Sequence, residues 1–285
     1  LTGDAPLDTL ETVRNQFFAI AQLPEEKIDL IDAALLIART TYPRLDKTVY
    51  QQYLSDLTDR LRSRLDETDR PITMIEKLNR ILFEEEQFQG NRHNYFDPDN
   101  SFINRVIDRK LGIPITLSLL YTRVGREAGL NLCGIPLPGH FIAAVSYESG
   151  RIFIDPFNRG EILSKEECQI MVRDRLGDKE AFDIRRLLPA GPKEILIRML
   201  RNLKAIYLHI NNDMKAFEML HWILNLDPDA ADELRLRGTM YEALGNTDRA
   251  VKDFERYLEL SPAVENNRMI RSKIEKLKKR TTWIH

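Results

Sequence analysis

The C-terminal third of the chain repeats itself at an interval of 34 residues, and that interval restricts the possible folds more than any other feature. Tyr207 recurs as Tyr241, Ala216 as Ala250, Leu224 as Leu258, Leu226 as Leu260 and Pro228 as Pro262. A period of this length fits one helix–turn–helix unit stacked on the next. Small Ala stands where helices touch, aromatics line the groove, and Pro ends the second helix. The second copy, over 231–264, carries Gly238, Tyr241, Ala250, Phe254 and Pro262; the first, over 197–230, has Lys204 for the small Gly and Leu220 for Phe. About three such units are normally needed for stability, so two must lean on something else. Met269, Ile270, Ile274 and Leu277 give a last helix an apolar stripe suited to capping the open end.

Upstream, Leu188-Pro189-Ala190-Gly191-Pro192 marks a boundary. Up to residue 110 the apolar spacing is helical, as in the stripes Leu10, Val13, Phe17, Ile20, Ala21 and Leu30, Ala33, Ala34, Ile37, and strand signals are missing. Pro24, Pro43 and Pro71 cut this part into helices that pack as a small bundle, because proline interrupts the internal ladder. From 112 to 163 one helix, with Leu117, Leu120, Tyr121 and Val124, precedes short strands. Turns are predicted at Pro136, Pro138-Gly139, Ser149-Gly150 and Asn158-Arg159-Gly160. Residues 141–147 and 151–155 flank Glu148-Ser149-Gly150 like a hairpin. The expected domains are 1–188, helical to 110 with a core over 111–188, and 189–285, the repeats. The fold class is α+β and predominantly helical.

Composition narrows the function classes. With 285 residues, 43% hydrophobic and 30% charged, the chain has room for about two domains with solvated surfaces. The net charge of -2 gives no basic excess to attract a phosphate backbone, so nucleic acid is not an expected partner. No run approaches the roughly 18 apolar residues of a bilayer span, and no membrane association is expected. Cys133 and Cys168 cannot build a disulfide framework, which favours a reducing, cytoplasmic location. The five histidines form no metal-ligand spacing, so neither metal nor cofactor is expected.

Chemistry concentrates between residues 94 and 160. Gly112-Ile113-Pro114-Ile115-Thr116-Leu117-Ser118 opens a helix, Pro138-Gly139-His140-Phe141 opens a strand, and Asp155-Pro156-Phe157 closes the next. These are the ingredients of a Cys-His-Asp constellation. In that chemistry a thiol sits at a helix N-terminus, where the macrodipole lowers its pKa; the histidine shares its proton and the acid orients the imidazole. The thiol is absent. In Asn94-Tyr95-Phe96-Asp97-Pro98-Asp99-Asn100-Ser101, a calcium loop would need a Gly and a distal Glu. Asn100 or Ser101 capping the helix through Val106 is the expected role.

On these motifs the chain resembles the SirB-type proteins, which join a transglutaminase-like core to tetratricopeptide repeats. The resemblance runs from about Ile31-Asp32-Ala33-Ala34-Leu35-Leu36-Ile37-Ala38 to Pro262, and its most specific pieces are the segments around Pro114 and His140. It implies a papain-like or transglutaminase-like central helix against a small antiparallel sheet. It also exposes a departure from active transglutaminase-like enzymes, whose cysteine follows a glycine by two residues, with a second glycine 17 after the first. Gly112 and Gly129 keep that spacing, so the cysteine position falls on Pro114, while His140 and Asp155 match the other two triad members. Proline has neither thiolate nor backbone N–H for an oxyanion hole, yet it suits the first position of a helix. Cys133, among Leu130, Leu132 and Ile135, and Ser118, one turn deeper than Pro114, are the alternative nucleophiles. Each has a structural reading as well, as a small core residue or a helix-interior hydroxyl.

Two function classes follow. The first is a non-enzymatic interaction protein: a core without its nucleophile, and repeats whose groove holds a protein or peptide partner, with Tyr207, Asn211, Arg237 and Tyr241 as candidate groove residues. The second is an amide or ester hydrolase or acyl transferase that uses His140 and Asp155 with an atypical nucleophile. The partner, any substrate and the oligomeric state are not legible in the residues.

Overall fold

The computed structural model describes residues 10–147, 150–176, 184–262 and 267–282. By internal packing the chain divides into two compact units, Leu1–Met199 and Leu200–His285. The division falls inside one continuous helix.

The first unit opens with α1 (Leu10–Ala21), α2 (Leu30–Arg39), α3 (Lys47–Arg62) and α4 (Pro71–Asn79). Asp29 starts α2 by accepting from the N–H groups of Ile31 and Asp32, and Asp46 starts α3 in the same way through Thr48. Helix α4 runs on into a wide π turn, Arg80–Glu85. Beyond it lie β1 (Gln89–Gly90), α5 (Ile103–Arg109) and β2 (Leu111–Gly112), with β1 and β2 parallel. The expectation of a strand-free stretch before residue 110 is corrected here: a two-residue strand is too short for any alternation to show. The helix through Val106 is capped differently from the expectation as well. Its N-cap is Phe102, with no side-chain hydrogen bond, and Asn100 and Ser101 are buried in the preceding loop.

Helix α6 (Pro114–Glu127) is buried on nearly every side over its first three turns, so it is a central helix rather than a one-faced cover. After it the chain forms a four-stranded antiparallel meander of β3 (Leu132–Leu137), β4 (His140–Tyr147), β5 (Gly150–Asp155) and β6 (Glu161–Leu163). Tyr147 pairs with Gly150 across the hairpin, whose Glu148 and Ser149 lie outside the described residues. Pro136, expected in a turn, pairs with Phe141 inside β3. An edge strand tolerates the missing N–H. Ile135, Leu137, Ile142, Ala144 and Phe153 pack with Cys168 and Val172 of α7 (Lys165–Leu176). Toward α6, Gly125 leaves the space that the Leu132 side chain fills.

The second unit takes up the end of α8 (Pro192–His209), then α9 (Asp213–Leu226), α10 (Ala231–Ala243), α11 (Thr247–Leu260) and α12 (Asn267–Thr282). The 34-residue repeat extends to the turns. Asn211 and Gly245 both adopt a left-handed conformation, with φ of 56° and 74°. Asn212 and Asn246 both cap the next helix, and their N–H groups both return to a tyrosine carbonyl, Tyr207 or Tyr241. In the second copy a Cβ at Gly238 would stand 2.8 Å from the Phe254 ring. The first copy has Lys204 with Leu220, and the Lys204 ammonium pairs with the buried Glu233 at 3.0 Å. In α12, Ile270, Ile274 and Leu277 are buried while Met269 faces out, a quarter-turn off the expected stripe.

Candidate functional site

The N-terminus of α6 is built from its own sequence. Ile113 is the N-cap and Pro114 the first helical residue, where the absent N–H has no intrahelical carbonyl to meet. The Ile113 N–H donates to Thr116 Oγ1 at 3.1 Å, and the Thr116 hydroxyl reaches the Asn100 carbonyl at 2.9 Å. Asn100 in turn donates through its amide to the Asn94 carbonyl at 2.7 Å and accepts from Asn91 at 3.0 Å. Buried asparagines therefore clip the 91–100 loop onto the helix start.

His140 opens β4 directly after the Pro138-Gly139 turn, in which Gly139 has φ of 66°. A side chain there would also stand 2.7 Å from Arg175 Nε. Arg198 donates to the carbonyls of both Leu137 and His140, the two ends of this turn, and its guanidinium lies 5.5 Å from the Phe141 ring centroid. Burial lowers the pKa of Arg198, against the opposing charge of Glu194.

Asp155 ends β5 fully buried and starts a short helical turn, Pro156–Asn158. Its Oδ1 accepts the N–H groups of Phe157 and Asn158 at 3.0 and 3.4 Å, and its Oδ2 accepts the Asn158 amide at 2.9 Å. His140 Nε2 lies 2.7 Å from Oδ2, with the imidazole 14% exposed. A carboxylate is an acceptor, so Nε2 is the donor of this hydrogen bond. The Phe157 ring lies edge-on to the imidazole at 6.0 Å. Behind the turn, Asn79 donates to the Gly160 carbonyl at 2.9 Å and accepts the Tyr121 hydroxyl at 2.9 Å, tying α4 and α6 to the Asp155 loop.

The structure thus brings His140 and Asp155 together. The two alternative nucleophiles are engaged in other contacts. Cys133 pairs with Ala144 in the β3–β4 register and His140 with Leu137, a separation of four residues, or about 13 Å along the strand. The Cys133 thiol contacts the Ala144 carbonyl at 3.5 Å, and burial pushes its pKa up. Ser118 is fully buried and donates to the Phe141 carbonyl at 3.1 Å. Cys168 is pushed up to about 11 by burial and then by the nearby Glu167 and Asp155 charges. Among the described residues no group of His, Cys, Asp and Glu is arranged to hold a metal, and no helix is long and apolar enough to cross a membrane.

A profile of the transglutaminase-like superfamily matches residues 48–201, more than half of the chain, and a tetratricopeptide-repeat profile matches 203–277. A UPF0162 protein of Xylella fastidiosa (strain 9a5c) is 36% identical over 270 residues, covering 94% of this chain and 96% of that one. The chain belongs to this SirB-type, transglutaminase-like family. A UPF0162 protein of Vibrio cholerae is 31% identical over 189 residues, covering 66% of this chain and 70% of its own. The human F-box only protein 21 is 27% identical over 184 residues, 60% of this chain but 28% of that protein. The α6 start, the β3–β6 sheet and the His140–Asp155 pair all lie within the SirB-type core.

In the repeats, the proposed groove residues have structural positions. Tyr207 and Tyr241 are buried, with the Tyr241 ring edge-on to Phe217 at 5.0 Å. Arg237 makes a bidentate pair with Asp253 at 2.8 Å on each arm, and Asn211 occupies the left-handed turn position. Asn79, Asn158 and Arg198 were missed as site residues. Asn158 stood within a segment legible only as a turn, and Arg198 lies 58 residues beyond His140 with no local motif.

Proposed function

We propose that the transglutaminase-like core is not a thiol acyl-transfer catalyst and that the chain is an interaction protein, holding a protein or peptide partner through its helical repeats. The observation that carries this reading is Pro114. It stands buried at the first position of α6, and the glycine spacing shared with active transglutaminase-like enzymes implies that this is their nucleophile position. Losing an oxyanion-hole donor alone costs about two to three decades in rate; losing the sulfur as well removes the acyl acceptor. The register position of Cys133, about 13 Å along the strand from the partner of His140, and the buried hydrogen bond that engages the Ser118 hydroxyl support the same reading. The two free cysteines accord with residence in the cytoplasm. Repeats of this class present a surface to a partner segment.

The retained His140–Asp155 pair favours the second reading, a hydrolase or acyl transferase with an atypical nucleophile. One experiment separates the two. The native full-length chain is treated with iodoacetamide and with a serine-directed fluorophosphonate, and labelled peptides are mapped beside a His140→Ala control. No labelling that depends on His140 is expected. Modification of Cys133 or Ser118 that disappears in the control overturns the non-catalytic reading.

A further inference from the structure

Beside the His140 pair lies an open cavity of about 720 Å³ between β1 and the turn that follows β5. Arg92 and Arg159 both line it. In this unit Arg60 and Arg109 are held by carboxylates, those of Glu85 and Asp97. The two cavity arginines have neutral partners instead. Arg92 donates to Asn158 Oδ1 and lies 5.3 Å from the Phe157 ring centroid, while Arg159 donates to the Phe83 carbonyl at 2.9 Å. Each guanidinium has five N–H donors, so one anchored bond leaves most of them for a ligand. The anchors also fix both groups before any ligand arrives, which lowers the ordering cost of binding.

The remaining charged or titratable lining groups are His93 and Glu161. Two guanidiniums against one carboxylate leave the cavity positive with the imidazole neutral, and more so with it protonated. Gln89 and Asn91 add neutral amide groups to the wall. The volume falls within the range of about 300–1,000 Å³ for small-molecule sites, far more than a bare inorganic anion fills. Phe157 supplies an apolar wall for the rest of a ligand.

We propose that this cavity binds a small organic molecule carrying a multiply charged oxyanion, with Arg92 and Arg159 as the charge-bearing contacts. Phosphate esters and polycarboxylates share this chemistry, and planar guanidinium forks recognise both. The site does not depend on whether His140 takes part in a reaction. It does adjoin that residue: Asn158 accepts from Arg92 and donates to Asp155 Oδ2, the oxygen that holds His140 Nε2. Occupancy is therefore registered at the imidazole.

The test is a titration of the full chain at low ionic strength with inorganic pyrophosphate and, separately, with citrate, read by calorimetry and by the imidazole NMR signals. At least one probe is expected to bind and to move the His140 signal. Binding of pyrophosphate alone assigns the phosphate-ester class, and binding of citrate alone the polycarboxylate class. Arg92→Gln and Arg159→Gln are each expected to weaken binding about tenfold, the loss of one charge-assisted contact. Glu161→Gln, which removes the opposing charge without touching either arginine, is expected to tighten it. Failure of both probes to bind overturns the proposal. So does binding that is indifferent to all three substitutions.

Discussion

Asp155 receives two backbone N–H groups, the Asn158 amide and the His140 ring in a site with no exposure, so removing any donor leaves an acceptor unsatisfied out of reach of water. His140→Ala is expected to destabilise the first unit by about 1–3 kcal/mol, read as a lower urea midpoint by circular dichroism. A wild-type midpoint would contradict a packed role for the imidazole. A second residue-scale test concerns Glu86. Burial alone would raise its carboxyl, but hydrogen bonds from Tyr53, Arg60 and Lys110 bring it down to about 2. A depressed carboxylate stabilises the fold above its unfolded pKa and loses that contribution as pH falls toward the folded value. Glu86→Gln is therefore expected to cost about 2 kcal/mol at pH 7, and the gap from wild type should close as pH drops from 4.5 toward 2. Denaturant midpoints across that window check it; a gap that stays constant contradicts the assignment. The Pro-Gly-His and Asp-Pro motifs make the His140–Asp155 pairing readable from residues alone, because a hairpin register brings them together. The Arg198 clamp was not readable, since its carbonyl acceptors lie 61 and 58 residues away and no side-chain type marks a carbonyl.

Elements explain themselves where one residue sets a spacing. At Gly238 the α10–α11 contact admits the Phe254 ring only because no Cβ intervenes, while the first repeat has both a Cβ, in Lys204, and the narrower Leu220. The two copies are alternative solutions to one packing problem. Gly238→Ala is expected to cost about 1–3 kcal/mol through overpacking, even though Ala favours the helix by nearly 1 kcal/mol. Phe254→Leu should cost less in the Gly238→Ala background than in wild type. A double-mutant cycle by thermal unfolding measures that coupling; strictly additive costs would contradict a shared cavity. The same 34-residue logic was legible in Tyr207, Ala216 and their counterparts, because repeats stack through identical contacts. The repeat spacing alone does not tell a tyrosine that packs between helices from one that faces a partner, and both tyrosines are buried. The β1 strand and the π turn at Arg80–Glu85 left no trace in periodicity, since each is shorter than the window over which a period is defined.

At the scale of the chain, Leu188-Pro189-Ala190-Gly191-Pro192 suggests the boundary, whereas the compact units part at Met199 and Leu200. Proline and glycine punctuate the backbone, but tertiary contacts decide which unit a helix turn serves. Ile195 is buried with its Cδ1 3.6 Å from where a Gly134 Cβ would stand, and Arg198 clamps the His140 turn, so the first turns of α8 belong to the core. This division supplies a test of the repeat unit alone. The two tryptophans are Trp222 and Trp283, so selectively excited tryptophan fluorescence arises entirely beyond residue 200, whereas circular dichroism samples both units. Ala250 is fully buried in α11. Ala250→Arg forces a long cationic side chain into a close helix contact, a cost of about 3 kcal/mol or more. In that variant the fluorescence-detected transition should move to lower urea, or be complete in buffer. The circular dichroism curve should then keep a later phase from the first unit. Fluorescence unfolding at the wild-type midpoint would mean that Ala250 does not sit between packed helices.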